Sequence, residues 1–312
     1  MNISLTQLEY LLAIDTYRHF AKAADACLVT QPTLSMQLKK LEEELNLALF
    51  DRSKQPIIPT DAGKEVIEQA RIILREARKL EHIARHYDDT LGGNLTVGII
   101  PTIAPYLLPY FLGDFIKKYK QIKLVIQELK TDEIILKLNK DEIDVGILAT
   151  PLHESNLIEE PLYYEEIKVY AHYNHPLTKK KYLEHEDIMR DDIWMLSKGN
   201  CFRNQIINIC ANPIKLNEQL NYESGSIETL KKMVEMEGGF TLLPELAVLE
   251  LSTKKINQVA EFKKPKPLRE VSIVYARSIS KKKFIEVLKK QIIKNMPEEL
   301  LNKKRGAVVE WK

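Results

Sequence analysis

From Thr60 or Asp61 to about Asp88 a single helical pattern runs without a proline. Along it Val66, Ala70, Ile73, Ala77, Leu80, Ala84 and Tyr87 recur in alternating steps of four and three. Three heptads of small and aliphatic seam residues describe a helix that pairs with another copy of itself. A lone helix of this length is marginal in water without a partner face. His82 and His86 are four apart, but nothing nearby adds further ligands, so they read as solvated surface and no metal site is expected. Gly92-Gly93 ends the helix. The chain of 312 residues, long enough for two or three domains, thus divides into residues 1–60, a linker and dimerisation helix over 61–91, and residues 92–312.

Ahead of the long helix, Leu5, Leu8, Leu11, Leu12 and Ile14 predict a first helix to about Thr16, and Phe20 to Ala24 start a short second one. Cys27-Leu28-Val29 forms a tight turn. Thr30 can cap a third helix, with Pro32 tolerated in its first turn, where backbone N–H groups have no helical partner. Leu34, Leu38, Leu41 and Leu45 make its inward stripe. The other side shows Pro32, Met36 and Lys39, flanked by Thr33, Ser35 and Lys40, with small polar groups and amides at its leading end suited to base edges and phosphates in a major groove. Asp51 to Lys54 and Pro56 to Pro59 read as a hairpin wing, with Arg52 and Lys54 placed for phosphates. Charge leaves a plain three-helix bundle open as the alternative. In 1–60 the six bases Arg18, Lys22, Lys39, Lys40, Arg52 and Lys54 face seven acids, Glu9, Asp15, Asp25, Glu42, Glu43, Glu44 and Asp51. A near-neutral head of this kind would need two or more copies for strong DNA binding.

After Gly93 strands and helices alternate. Leu95–Ile100, Lys123–Leu129 and Ile143–Ala149 read as strands, Tyr106–Tyr119 and Thr131–Lys140 as helices, which predicts a parallel sheet covered by helices. A second set follows, with strands at Ile167–His172, Ile193–Leu196, Leu220–Glu223 and Phe240–Leu243 and a helix over Ser226–Glu237. Val271–Tyr275 and a helix from Lys281 return to the first set. The result is two α/β lobes, lobe I about 92–163 and 269–312 and lobe II about 164–268. The lysine-rich tail, ending Lys303-Lys304-Arg305, reads as a basic solvated surface.

Cys201 and Cys210 lie nine positions apart in Gly-Asn-Cys-Phe-Arg-Asn-Gln-Ile-Ile-Asn-Ile-Cys. If Phe202 to Cys210 is helical, the two sulfurs face opposite ways, roughly 180° around the axis and about 13 Å along it. A disulfide needs Cα atoms within about 7 Å, so this pair can join only if the segment unwinds. Two readings stay open from the residues: an oxidation-biased two-state element, or two unrelated thiols. Three cysteines in a chain this long do not make a secreted disulfide framework. The N-terminus lacks a secretory signal and no apolar run approaches the roughly 18 residues of a membrane span. A cytoplasmic protein without a membrane partner is the expectation.

The run Ala-Ala-Asp-Ala-Cys-Leu-Val-Thr-Gln-Pro-Thr-Leu-Ser-Met-Gln-Leu-Lys-Lys-Leu-Glu-Glu-Glu-Leu, followed by Leu49-Phe50-Asp51-Arg52 and Pro59-Thr60-Asp61-Ala62-Gly63, resembles the LysR-type transcriptional regulators. The resemblance implies a fold: an N-terminal all-α winged helix-turn-helix, a long linker helix, and a two-lobed α/β effector domain like the periplasmic binding proteins. It implies that Thr30, Gln31, Pro32, Thr33 and Ser35 sit at the entry of the recognition helix and Arg52 in the wing. Promoter DNA, RNA polymerase and further copies of the chain, as a dimer and a tetramer, are the implied partners. Most members of the family bind a small organic effector between the lobes, with no further cofactor, and that is the alternative reading here.

Within the family, the cysteine pair with Cys201-Phe202-Arg203-Asn204-Gln205 at its head resembles the hydrogen-peroxide sensors. So do Ile100 to Pro109, Glu128 to Thr131, Ser226 to Leu230 and Phe240 to Pro244. That likeness implies a reactive Cys201, a resolving Cys210 and control of oxidative-stress genes. Arg269 is implied beside the sulfur, with Thr102 and Thr131 lining a peroxide pocket. A thiolate at a helix N-terminus near cations should have a lowered pKa. Asn200 departs from the histidine usual before the reactive cysteine; it can hydrogen-bond but does not titrate near neutral pH. Cys27, in the packed turn, reads as a buried structural thiol. A thiol peroxidase is the remaining alternative, but no nucleophile elbow, Walker loop or Gly-x-Gly-x-x-Gly turn occurs, so an enzyme is not expected.

Overall fold

Ser4 begins the first helix, its Oγ accepting the Gln7 amide while the Gln7 side chain accepts the Ser4 N–H, a reciprocal cap that satisfies two otherwise orphaned donors. This α1 (Leu5–Tyr17) precedes α2 (Phe20–Ala26) and α3 (Gln31–Leu45). Thr30 caps α3 by accepting the Thr33 amide, with Pro32 in the first turn. Leu34, Leu38 and Leu41 are fully buried against Leu8, Leu11 and Ile14, and Leu45 is half-buried at the edge. The wing consists of β1 (Phe50–Asp51) paired antiparallel with β2 (Ile58–Pro59). The long helix is α4 (Asp61–His86). A Cβ at Gly63 would lie 2.0 Å from the Leu49 carbonyl oxygen, so only glycine lets the first turn of α4 seat against the wing. The structure, a computed structural model, describes residues 2–86, 92–180, 182–209, 225–277, 279 and 281–310. The chain separates into residues 1–90 and 91–312.

The first half of α4 belongs to the head. Ile67, Ala70 and Leu74 are buried in its core, Val66 packs on the same core, and Arg71 makes a buried 2.5 Å ion pair with Asp15 of α1. The expectation that Val66 and Ala70 face another copy is therefore corrected, because the three head helices already cover that stripe. Ile73 and Leu80 do face outward, 40% and 69% exposed, and Ala77 is half-buried. The side chain of Ala84, and Tyr87 altogether, lie outside the described residues.

In the second unit β3 (Gly93–Ile99), α5 (Ala104–Lys118), β4 (Ile122–Glu128), α6 (Thr131–Asn139) and β5 (Val145–Thr150) form a parallel βαβαβ half. Then comes β6 (Leu157–Ala171), a strand of 15 residues that runs from one lobe into the other. The second lobe adds β7 (Tyr182–Leu183), α7 (Cys201–Ile209), α8 (Ile227–Glu237), β8 (Phe240–Pro244), α9 (Glu245–Leu249), α10 (Thr253–Ile256) and β9 (Val259–Phe262). The chain returns along β10 (Lys266–Ala276) and ends in α11 (Lys282–Asn295) and β11 (Gly306–Val308). Strand order is β4-β3-β5-β10-β6-β9-β7, with β8 also on β6 and β11 on β10.

The expected parallel sheet holds for β3, β4 and β5 but not beyond them. β10 is antiparallel to both β5 and β6, and β8 and β9 are antiparallel to β6, because the two strands that carry the chain between lobes run in opposite directions side by side. The expected strand at Ile193–Leu196 reduces to a bridge from Ile193 to Phe240, and Leu220–Glu223 lies outside the described residues. One continuous buried cluster joins the lobes, from Leu95 and Ile147 to Phe240 and Leu242. Across the cleft the Tyr106 hydroxyl of α5 donates to Glu228 of α8 at 2.6 Å, and Lys231 donates to the same oxygen.

Candidate functional site

Cys201 is the first residue of α7 and is 4% exposed. The preceding Asn200 turns its side chain onto the helix start, where Oδ1 accepts the Phe202 amide at 3.0 Å. That is an N-cap contact, so Asn200 orders the turn that carries the thiol. Phe202, Gln205, Ile206 and Ile209 are the other buried residues of α7. Cys210, the expected second cysteine of the pair, lies outside the described residues.

Arg269 and Thr131 act on this thiol, and Thr102 is joined to it through Arg269. Arg269 comes from β10, Thr102 from the turn between β3 and α5, and Thr131 from the first position of α6. All three are buried. Arg269 donates to Thr102 Oγ1 at 3.1 Å and to the Thr102 carbonyl at 3.3 Å, and its guanidinium lies 4.9 Å from the Phe202 ring centre. Its Nε and Nη2 both donate to Glu165 Oε1, at 2.8 and 2.6 Å. Thr131 Oγ1 is buried with no well-formed hydrogen bond among the described residues, although it acts on the Cys201 thiol. Gln205, one turn after Cys201, donates Nε2 to the Val309 carbonyl and leaves Oε1 buried without a partner. Unpaired buried oxygens cost free energy, and among the described residues two of them lie on Thr131 and on Gln205, one turn after Cys201.

Electrostatics at the thiol differ from expectation. Burial pushes the Cys201 pKa up; Thr131, Arg269 and the Phe202 and Cys201 amides pull it down without overcoming burial. The expected lowered pKa is corrected accordingly, and the group stays a thiol at neutral pH. One reason is that the Arg269 charge is already matched by Glu165. Arg269 itself is held above its ordinary value: burial opposes the charge, but Glu165, with Tyr163 and Cys201, outweighs it.

Glu165, Phe202 and Gln205 went unnoticed as site residues in the sequence. Glu165 gave no local signal, since it lies ahead of the expected strand at Ile167–His172 and beside a second acid, Glu166. Gln205 had one, because position i+4 shares the helix face of Cys201. Phe202 is an ordinary aromatic until β10 places a guanidinium over it.

In the head, Gln31, Pro32 and Lys39 are exposed and Thr33 and Ser35 half-buried on the outer side of α3, with Thr30 exposed at its cap. Lys54 is exposed in the wing. Arg52 is tied down: it pairs with Glu42 at 2.7 Å and stacks 5.4 Å from the Phe20 ring centre. It braces the wing against α3 and is not simply held out to solvent. Cys27, half-buried at the end of α2, is also a thiol at neutral pH, raised by burial and then by Glu9. Among the described residues no group of three or more His, Cys, Asp or Glu could hold a metal, and no helix is long and apolar enough to cross a membrane.

Two family profiles match the chain: the bacterial regulatory helix-turn-helix protein of the lysR family over residues 5–64, and the LysR substrate binding domain over residues 88–294. The hydrogen peroxide-inducible genes activator of Haemophilus influenzae is 34% identical over 273 residues, covering 88% of this chain and 90% of that protein. The DNA-binding transcriptional dual regulator OxyR of Escherichia coli is likewise 34% identical, covering 88% and 89%. Among solved structures, a full-length cysteine-to-aspartate variant of OxyR from Pseudomonas aeruginosa superposes with a TM-score of 0.78 at 32% identity, covering 95% of this chain and 99% of that one. A peroxide-bound cysteine-to-serine variant of Corynebacterium glutamicum OxyR gives 0.62 at 29% identity, covering 95% and 93%.

Proposed function

The chain belongs to the LysR family of bacterial helix-turn-helix transcription regulators, and on that footing we propose that it senses hydrogen peroxide through Cys201 and switches promoter binding by a reversible Cys201–Cys210 disulfide. It is a regulator and not an enzyme. The observation that carries the proposal is one buried thiol at a helix start, flanked by the unpaired Thr131 hydroxyl and by an arginine bonded to Thr102.

Peroxide fits this polar spot because it both donates and accepts hydrogen bonds. Thr102, Thr131 and Gln205 Oε1 orient it, and the Asn200 cap holds the thiol at the helix start. Cys201 sulfur attacks one oxygen and the O–O bond breaks. The thiol proton leaves with the other oxygen as water, giving a sulfenic acid. Arg269 and the Thr131 hydroxyl stabilise the charge that develops on the departing oxygen. Cys210 then attacks the sulfenic sulfur, an S–S bond forms and a second water departs. The α7 helix must unwind for the two sulfurs to meet. Cellular thiols return both cysteines to the reduced state by exchange. The repacked domain then moves the DNA-binding heads of the oligomer relative to one another, and with them the contact with RNA polymerase and the expression of oxidative-stress genes.

The test is intact and peptide mass spectrometry of anaerobically prepared protein given stoichiometric peroxide. The expected result is a Cys201–Cys210 disulfide within seconds, absent in Cys201→Ser. Unmodified thiols, or slow oxidation at Cys27 alone, would overturn the peroxide reading and return the cleft to an organic effector.

A further inference from the structure

The basic tail is solvated at Lys303 and Lys304, as expected, but not at Arg305. Lys303 reaches Glu270 and lies 5.7 Å from the Tyr164 ring centre. Arg305, 17% exposed, pairs with Glu166 at 2.8 Å and Glu245 at 2.7 Å. Beyond it β11 runs parallel to β10, with Gly306, Ala307 and Val308 opposite Lys266, Pro267 and Leu268. A Cβ at Gly306 would stand 2.0 Å from the Lys266 carbonyl oxygen, so this docking requires glycine there. Val309 N–H then donates to the Leu268 carbonyl, one residue before Arg269.

The same tail ends on α7. Gln205 Nε2 donates to the Val309 carbonyl at 2.9 Å and Asn208 Nδ2 to the Glu310 carbonyl at 2.7 Å. A helix of nine residues is far too short to persist on its own. Its burial, the Asn200 cap, the bond from Arg203 to the Leu196 carbonyl and these two tail contacts hold it wound.

We propose that residues 303–310 form a latch that keeps α7 wound and so sets how readily Cys201 is presented, a positioning role for a segment that touches no reacting atom. The proposal rests on reading α7 as the element that rearranges. Unwinding α7 breaks the Gln205–Val309 and Asn208–Glu310 contacts together, while β11 and the Val309 N–H keep the tail on the strand that carries Arg269.

The test uses the full-length reduced protein, a truncation after Val308 that removes both acceptor carbonyls but keeps β11 and Arg305, and Asn208→Ala. Amide hydrogen exchange is followed in α7, with α5 and β5 as internal controls. Cys201 alkylation by iodoacetamide, in which the thiolate displaces iodide, is timed by peptide mass spectrometry without peroxide. The expected result is exchange in α7 at least tenfold faster in the truncated protein and alkylation about fivefold faster, with Asn208→Ala intermediate and the controls unmoved. Unchanged α7 exchange and alkylation would overturn the latch, as would loosening that spreads equally through α5 and β5 in both variants. A peroxide arm separates the two proposals. If α7 loosens on truncation but peroxide leaves Cys201 untouched, the latch stands and the peroxide reading falls. If peroxide forms the disulfide equally fast in the full-length and truncated proteins, the peroxide reading stands and the latch falls.

Discussion

Arg269 and Glu165 are 1% and 0% exposed, and each is the other's main partner. Removing one member of such a buried pair leaves an uncompensated charge, which costs about 3–5 kcal/mol. Arg269→Ala should lose stability on that scale in urea unfolding, and the double variant Arg269→Met, Glu165→Gln should recover most of it. Recovery of stability without recovery of peroxide reactivity would separate the arginine's structural part from its chemical one. The Cys201 thiol makes a second prediction. Its pKa is raised, and only the thiolate attacks. Below that pKa the thiolate fraction grows about tenfold per pH unit. The peroxide rate constant, read by stopped flow, should therefore climb steadily from pH 6 to 8.5. A plateau beginning near pH 6 would mean that the thiolate is already formed there and that burial does not dominate.

Elements were more legible in the sequence than their partnerships. The leucine stripe of α3, the Thr30 cap and the strands β3, β4 and β5 follow from periodicity and capping chemistry, which are local. What escaped was non-local: that β6 is one long strand, that β10 lies antiparallel between β5 and β6, and that Arg305 seeks two glutamates from other elements. The heptad of α4 shows the limit plainly. Its spacing marks an apolar stripe but not who covers it, and the head covers Val66 and Ala70 while Ile73 and Leu80 face out. Leu80→Asp should therefore weaken self-association at least tenfold in sedimentation velocity with little change in melting temperature. Ala70→Asp should instead unfold the head, seen as lost helical signal at 222 nm. Both variants behaving alike would count against this division of the helix.

For the whole molecule, the near balance of charge in residues 1–60 predicts that tight DNA binding takes paired heads. Leu80→Asp should accordingly lower promoter affinity by about a hundredfold at moderate salt in a fluorescence anisotropy titration; unchanged affinity would mean that one head suffices. The effector domain is unified by a different device. Its two lobes share β6 and β10, and β5 of the first lobe pairs with the late strand β10. The order of synthesis then matters. As the chain leaves the ribosome, Cys201 appears well before Arg269 and before the tail that braces α7, so the thiol passes through a period with neither its arginine nor its cover. A cell making this protein under oxidative attack would have newborn chains whose cysteine is more open to solvent than the 4% it keeps in the finished fold.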